Sequence, residues 1–280
     1  MQTVFFGNTG RKVSQVGLGG EGVLRTFGRA QEAEVVIQEA LDQGITYCDS
    51  AQAYSDSEVY YGHIWGNNKA LRKRIFQTSK SASRDKGGAL ADLHSSLKRL
   101  QTDYLDLWQI HDVRTVDDLQ AISGPGGALE AFVEAKQNGL VRFIGVTGHH
   151  DPYILTKAVE TWPVDSVLLP VNPIEGLIGG FLTETLPAAK NKNIATVAMK
   201  VMGASHYILP KMKISPELLV RYALSFDITL PIVGCSSPDE VQTLVTAAEK
   251  HPPISNREKE SLLSVFRPYA TKMAFYRGVK

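Results

Sequence analysis

"ITYCDSAQAYSDSE", residues 45–58, is a short apolar run that ends on a carboxylate and then breaks into a small polar segment carrying Tyr54. Alone it is an ordinary strand end. Two later runs change its meaning: "IFQTSK" (75–80) and "LDLWQIH" (105–111) also close on side chains that can carry charge. From Asp49 to Lys80 is 31 residues, and from Lys80 to His111 is 31 again. One such interval holds one strand and one return helix. Eight of them need about 250 residues, the usual size of a (β/α)8 barrel. The chain has 280.

Working outward, strand-like runs lie at 14–18, 45–49, 75–79, 105–110, 142–147, 166–171, 195–200 and 229–233. Helix-like stretches alternate with them, for example 30–44 and 88–100, where apolar residues recur three and four apart. This alternation predicts a parallel sheet closed into a (β/α)8 TIM barrel. Gly44 and Gly139 read as helix stops. "TVFFGNTGRKVSQ" (3–15) reads as an additional N-terminal β-hairpin turning at Asn8-Thr9-Gly10, suited to plug the barrel bottom. Residues 256–278 read as an extra C-terminal helix with an irregular end. No linker or charge block divides the chain, so 1–280 is expected to be a single barrel domain.

Composition narrows the function classes. Hydrophobic residues make up 43% and charged residues 21%, ordinary for a soluble globular protein. A net charge of +1 gives no electrostatic pull toward nucleic acid or an anionic membrane, so neither is expected as a partner. The longest apolar runs, such as "VDSVLLPV" (164–171), are strand-sized and far from the ~20 residues of a membrane helix. The N-terminus lacks the pattern of a signal peptide. Cys48 and Cys235 both sit in strand-like runs and read as core thiols, with no metal-ligand spacing. The expected location is cytoplasmic.

In such a barrel the strand C-termini share one face, where active sites are built. Asp49, Lys80 and His111 then lie on one rim, with Tyr54 in the loop after the second strand. A phenol with a pKa of about 10 is a poor proton donor at neutral pH. A neighbouring cation would lower that value, by about 1–3 units. Lys80 can be the cation, Asp49 its anchor, and His111 a hydrogen-bonding group that orients a substrate oxygen. Such a device protonates an oxygen while the adjacent carbon receives hydride, as carbonyl reduction requires.

These motifs resemble the aldo-keto reductase superfamily. "TYCDSAQAYSDSE" is similar to its signature of an Asp after the second strand and a Tyr five residues on. "FQTSK" and "YLDLWQIHD" resemble its third and fourth strands, ending in Lys and His. "VGLGGEGV", "IGVTGH" and "VGCSSPDEV" extend the likeness along the chain. The resemblance implies an Asp49–Tyr54–Lys80–His111 tetrad, reduction of a small-molecule aldehyde or ketone, and NADP(H) as cofactor. It implies that Thr147 contacts the carboxamide with Gly148 beside it at the cofactor, and that the cofactor-binding Asn172 stands where the family has a Gln after the sixth strand; Gly20 and Glu21, in the Gly-rich stretch after the hairpin, are expected near the cofactor. It also implies that Lys200, Val201 and Met202 flank the nicotinamide, and that Gly234, Ser236, Ser237 and Glu240 meet the pyrophosphate and adenosine. Three positions depart from the family pattern. Gly148 stands where Asn is common, Met199 where an aromatic residue is common, and Glu240 where an Arg often meets the 2′-phosphate. A carboxylate there suits a free 2′-hydroxyl, which opens NAD(H) use. "MKVMG" and "LLPVNPIE" are similar to a branch that sometimes carries an iron–sulfur module, for which two cysteines do not suffice.

Other readings compete. "GLGGEG" (17–22) matches a dinucleotide fingerprint by letter, but no helix opens at its last glycine, so it reads as a Gly-rich first loop at the barrel mouth. "GHHD" (148–151), with Asp49 and His111, could form the rim of a metal-dependent hydrolase. That leaves Tyr54 and Lys80 without a role, and the simpler reading is a polar loop with Asp151-Pro152 opening a helix. A low-turnover nicotinamide-binding regulatory protein is a third class. His206 and Tyr207 are candidate substrate contacts or solvated loop. Trp65 and Trp162 read as helix-face packing, and Trp108 as core on either side of the barrel wall.

Overall fold

The computed structural model describes residues 1–66, 68–249 and 252–278. A two-stranded antiparallel hairpin, β1 (Thr3–Phe5) and β2 (Lys12–Ser14), precedes the barrel. The barrel strands are β3 (Gly17–Gly22), β4 (Tyr47–Cys48), β5 (Phe76–Ser81), β6 (Leu105–Ile110), β7 (Val141–Thr147), β8 (Ser166–Pro170), β9 (Ala195–Met199) and β10 (Leu230–Cys235). They run parallel in sequence order, and β10 closes on β3. Helices lie between successive strands, and a helix over Asn256–Phe266 follows the last unit. The expected hairpin, barrel and added helix are all present.

The first barrel strand corrects the sequence reading. It was expected at 14–18, but Ser14 belongs to the hairpin and the strand is the glycine run itself. Gly17 pairs with Ile232 on one side and Tyr47 on the other. A Cβ on Gly17 would stand 2.8 Å from the Tyr47 ring, and one on Gly19 2.9 Å from the Gly234 nitrogen. The wall is too close here for side chains. The stretch carries no alternation to read because it has almost no side chains to alternate.

The barrel bottom is plugged as expected. Phe6, in the hairpin turn, is fully buried among Tyr47, Phe76, Leu107, Leu168 and Val197. Its ring lies 4.7 Å from that of Phe76. Burying one such side chain is worth about 1.5–3 kcal/mol. Outside the wall, Trp108 stacks on Phe132 at 3.6 Å, which settles it as helix-facing core. Trp65 stacks on Tyr61, and Trp162 is buried. Both cysteines are buried free thiols, and burial pushes each up to about 12, so neither is primed as a nucleophile. Among the described residues no helix is long and apolar enough to cross a membrane.

The C-terminal tail folds back over the barrel mouth. Tyr276 Oη donates to Glu175 Oε1 at 2.7 Å, Arg277 pairs with both oxygens of Glu175, and Gly278 N–H donates to the His150 carbonyl at 3.1 Å. Glu175 is fully buried.

Candidate active site

Asp49 follows β4, and its N–H extends the sheet by donating to the Leu18 carbonyl at 2.9 Å. Its carboxylate accepts from Thr78 Oγ1 at 2.9 Å and from Lys80 Nζ at 2.8 and 2.7 Å. The third Lys80 proton goes to the Ser50 carbonyl at 2.7 Å. Asp49 and Lys80 are 2% and 1% exposed, so the pair is buried. Burial lowers the lysine's hold on its proton, and the Asp49 carboxylate opposes it.

Tyr54 lies in the tight turn that opens the helix Ser57–Trp65. Its N–H donates to the Ala51 carbonyl, and its carbonyl accepts from Ser57 N–H, both at 2.9 Å. Ser55 takes a left-handed φ of +46°, and Arg99 holds its carbonyl. The Tyr54 ring rests against Gly20, where a Cβ would come within 2.6 Å. Lys80 Nζ faces the ring at 4.5 Å from its centroid, and the Arg25 guanidinium lies 4.9 Å from that centroid.

His111 follows β6, and its N–H donates to the Ser81 carbonyl at 2.8 Å. Arg84 clamps this turn by donating to the carbonyls of His111 and Asp112 at 2.9 and 2.8 Å. The imidazole meets the Tyr54 ring edge-on, with centroids 5.6 Å apart. Burial, aided by the Lys80 charge, lowers His111 to about 3, so it is neutral at physiological pH.

A groove of about 560 Å³ runs from Asp49 and Tyr54 to the start of the helix Pro238–Glu249. Leu168, Met199, Val201 and Ile232 form its apolar wall near Tyr54. Glycines bring its sides together: a Cβ on Gly22 would stand 2.5 Å from the Cys235 carbonyl oxygen. The far end has a helix N-terminus, which favours phosphate. There Glu240 Oε2 accepts the Ser236 N–H at 2.6 Å, and Glu240 N–H donates to Ser237 Oγ at 3.3 Å. An apolar slot beside the phenol and a helix terminus at the other end fit a nicotinamide dinucleotide.

The model of the aldo/keto reductase family matches residues 15–208. The chain belongs to the aldo/keto reductase family. This makes it an oxidoreductase. L-galactose dehydrogenase of Arabidopsis thaliana is 27% identical over 86% of each chain. Aldo-keto reductase YhdN of Bacillus subtilis is 30% identical over 70% of this chain and 61% of its own length. The fold also matches the holo form of aldo-keto reductase AKR11C1 from Bacillus halodurans. That match has a TM-score of 0.76 at 22% identity and covers 95% of this chain and 96% of the other.

For a member of this family, the site keeps most of the expected residues together and changes one expected property. Asp49, Tyr54, Lys80 and His111 converge on one rim. Gly20, Glu21, Lys200, Val201, Met202, Gly234, Ser236 and Glu240 line the groove with Tyr54. Thr147, Gly148 and Asn172 do not line it. Thr147 Oγ1 accepts the Asp112 N–H at 2.8 Å. Asn172 is fully engaged: its amide donates to the Lys200 carbonyl and Tyr276 Oη, and its oxygen accepts from Ile174 and Glu175. Ser237 serves as a helix cap. The changed property is the phenol. Lys80 was expected to lower it, but burial and then the Asp49 carboxylate push Tyr54 well above 10. The lysine protons are all directed at Asp49 and Ser50, so the ammonium faces the ring and not the hydroxyl. Gly20 and Glu21, expected in a loop, sit in β3 itself.

Sequence reasoning passed over Arg25 and the role of Arg84, for which no spacing gave a signal. The metal rim finds no support. Among the described residues no three His, Cys, Asp or Glu side chains gather as ligands would. Asp151 caps the helix Pro152–Thr161, as the simpler reading had it.

Proposed function

We propose that this protein reduces an aldehyde or ketone to an alcohol with NAD(P)H, and that Tyr54 is the general acid. The observation that carries this reading is the placement of one phenol. Tyr54 opens into the groove, covers the buried Lys80–Asp49 pair and meets neutral His111 edge-on. A reduced nicotinamide in the groove would supply the hydride. The carbonyl oxygen then becomes an alkoxide, a far stronger base than any phenolate, so a phenol with a raised pKa still gives up its proton downhill. Arg25, the cation that opposes the rise in the phenol, stabilises the phenolate that remains, while Lys80, held by Asp49, supports the ring. His111 hydrogen-bonds the carbonyl oxygen without adding a charge. Relatives named as a dehydrogenase and as reductases fit one site working in either direction.

Gly20, Glu21, Lys200, Val201, Met202, Gly234, Ser236, Ser237 and Glu240 are the proposed cofactor contacts. Thr147, Gly148 and Asn172 are proposed at the carboxamide end, Asn172 by exchanging a present partner. The family pattern points to NADP(H). Glu240 at the adenosine end would repel a 2′-phosphate and admit NAD(H). Titration of the protein with NADPH and with NADH, alongside reduction assays on a carbonyl panel, tests the reading. Saturable binding with turnover is expected. Glu240→Arg is expected to shift the affinity ratio toward NADPH about tenfold, the effect of replacing a repulsive charge with an attractive one. Absence of binding by both cofactors would overturn the reading. Binding without turnover across the panel would leave a regulatory binder in its place.

A further inference from the structure

The helix Ser57–Trp65, which follows the Tyr54 turn, carries a carboxylate that the tetrad does not use. Glu58 stands in its first turn, where an exposed carboxylate would be ordinary, yet its side chain is fully buried. It is anchored on the outer side of the barrel wall. Thr78 and Lys80 both reach Asp49 from one side of β5, so Ser79 between them faces the other way. Ser79 Oγ donates to Glu58 Oε1 at 2.5 Å. Glu58 Oε2 forms an ion pair with Arg99, at the end of the helix Lys86–Arg99, with Nε 3.4 Å away. Arg99 Nη2 donates in turn to the Ser55 carbonyl. The two helices lie so close that a Cβ on Gly62 would collide with the Arg99 carbonyl oxygen. One chain of contacts therefore runs from the strand that carries Lys80 to the turn that carries Tyr54.

We propose that Arg99, braced by Glu58, is a positioning residue that holds the Tyr54 turn in the shape that proton transfer requires. The inference rests on the reading of Tyr54 as the general acid. The turn needs a holder because of Ser55. Its φ of +46° is left-handed, a region that residues other than glycine avoid. Without a restraint, such a residue favours the right-handed basin by an equilibrium factor of about 5–30. Before the turn the chain is tied to β5, where Gln52 N–H donates to the Lys80 carbonyl at 3.2 Å. After it, Glu58 ties the helix to the same strand through Ser79. Ser55 is the joint between these two anchors, and rotation about it turns Tyr54 relative to the helix. Arg99 fixes the joint by holding the Ser55 carbonyl. A small displacement of the phenol lowers the rate of proton transfer without closing the groove.

The test measures kcat and cofactor affinity side by side on the full chain, with the best-reduced member of a panel of 4-nitrobenzaldehyde, propanal and 2-butanone. Arg99→Met keeps the aliphatic stem and removes the donor. Its kcat is expected to fall about tenfold while affinity for NAD(P)H stays within about twofold, because the groove wall is untouched. Ser55→Gly, added to Arg99→Met, is expected to restore kcat to within about threefold, since glycine takes a left-handed φ as readily as a right-handed one. A merely structural loss has no reason to be repaired by a glycine 44 residues away in the chain. Glu58→Gln keeps the shape and frees Arg99 without removing it. It is expected to show the same kcat-specific loss, at about threefold, and the same repair by Ser55→Gly. This second variant decides the question where Arg99→Met does not fold. Unchanged kcat in these variants, or a loss that Ser55→Gly does not repair, would overturn the role of Arg99 and leave Tyr54 as the acid. Full turnover by Tyr54→Phe would overturn the general-acid reading and this assignment with it.

Discussion

Tyr54→Phe is expected to bind the reduced cofactor as the unaltered protein does and to lose about 10²- to 10⁴-fold in kcat, the usual contribution of a positioned general acid. The substitution is a clean one. The hydroxyl makes no hydrogen bond among the described residues, while the ring packs against Gly20 and lies beside Lys80 and Arg25. Phenylalanine keeps all of those ring contacts. The pH dependence is a second signature. Burial and the Asp49 carboxylate hold the phenol protonated to well above pH 10. Carbonyl reduction is therefore expected to stay flat from neutral into the alkaline range and to fall only where Tyr54 ionises. Alcohol oxidation at the same site, which needs the phenolate, rises with pH over that range. Steady-state rates in both directions, with cofactor titrations of each protein, check this. Full turnover by Tyr54→Phe would remove Tyr54 from the chemistry. Lost binding along with lost turnover would mean that the ring, not the proton, is what matters.

The meeting of Asp49, Tyr54, Lys80 and His111 on one rim was legible because each ends or follows a strand run, and the 31-residue interval places strand ends on one rim whatever the loops do. The barrel was legible for the same reason. β3 was misplaced because Gly17–Gly22 is a strand with almost no side chains, and periodicity is a property of side chains. The direction of the Tyr54 shift was misread for a different reason. Sequence shows that a cation is near, but not where its protons point. All three of the Lys80 protons point at Asp49 and Ser50. Asn172 shows the same limit: its place after β8 was readable, but its capture by Tyr276, 104 residues away, was not. Contacts made by a returning tail have no local pattern.

Arg277→Ala is expected to release that tail at a cost of about 3–5 kcal/mol, the usual penalty for removing one partner of a buried ion pair. Arg277 and Glu175 have side chains 6% and 0% exposed, and Glu175 sits behind Tyr276 as well. Without the guanidinium, a carboxylate is left in a site that already raises its pKa by burial. The molecule can respond in two ways. It can lose global stability, read as a lower denaturant midpoint. It can also let the tail undock and admit water to Glu175, read as new protease cleavage after residue 266. The charge is the cause, so Glu175→Gln in the same chain is expected to restore part of the loss. Acidification should help too, and the sign follows from linkage. A carboxyl whose folded pKa lies above its unfolded value binds more protons when folded, so stability recovers as pH falls from the raised value toward about 4.5. Tyr276 also donates to Glu175 and accepts from Asn172, whose amide holds the Lys200 carbonyl at the groove. Undocking is therefore expected to weaken cofactor binding, although Arg277 lies outside the groove. A variant with less than about 1 kcal/mol of lost stability, no new cleavage and unchanged cofactor affinity would show that the tail is held by its apolar contacts and not by this pair.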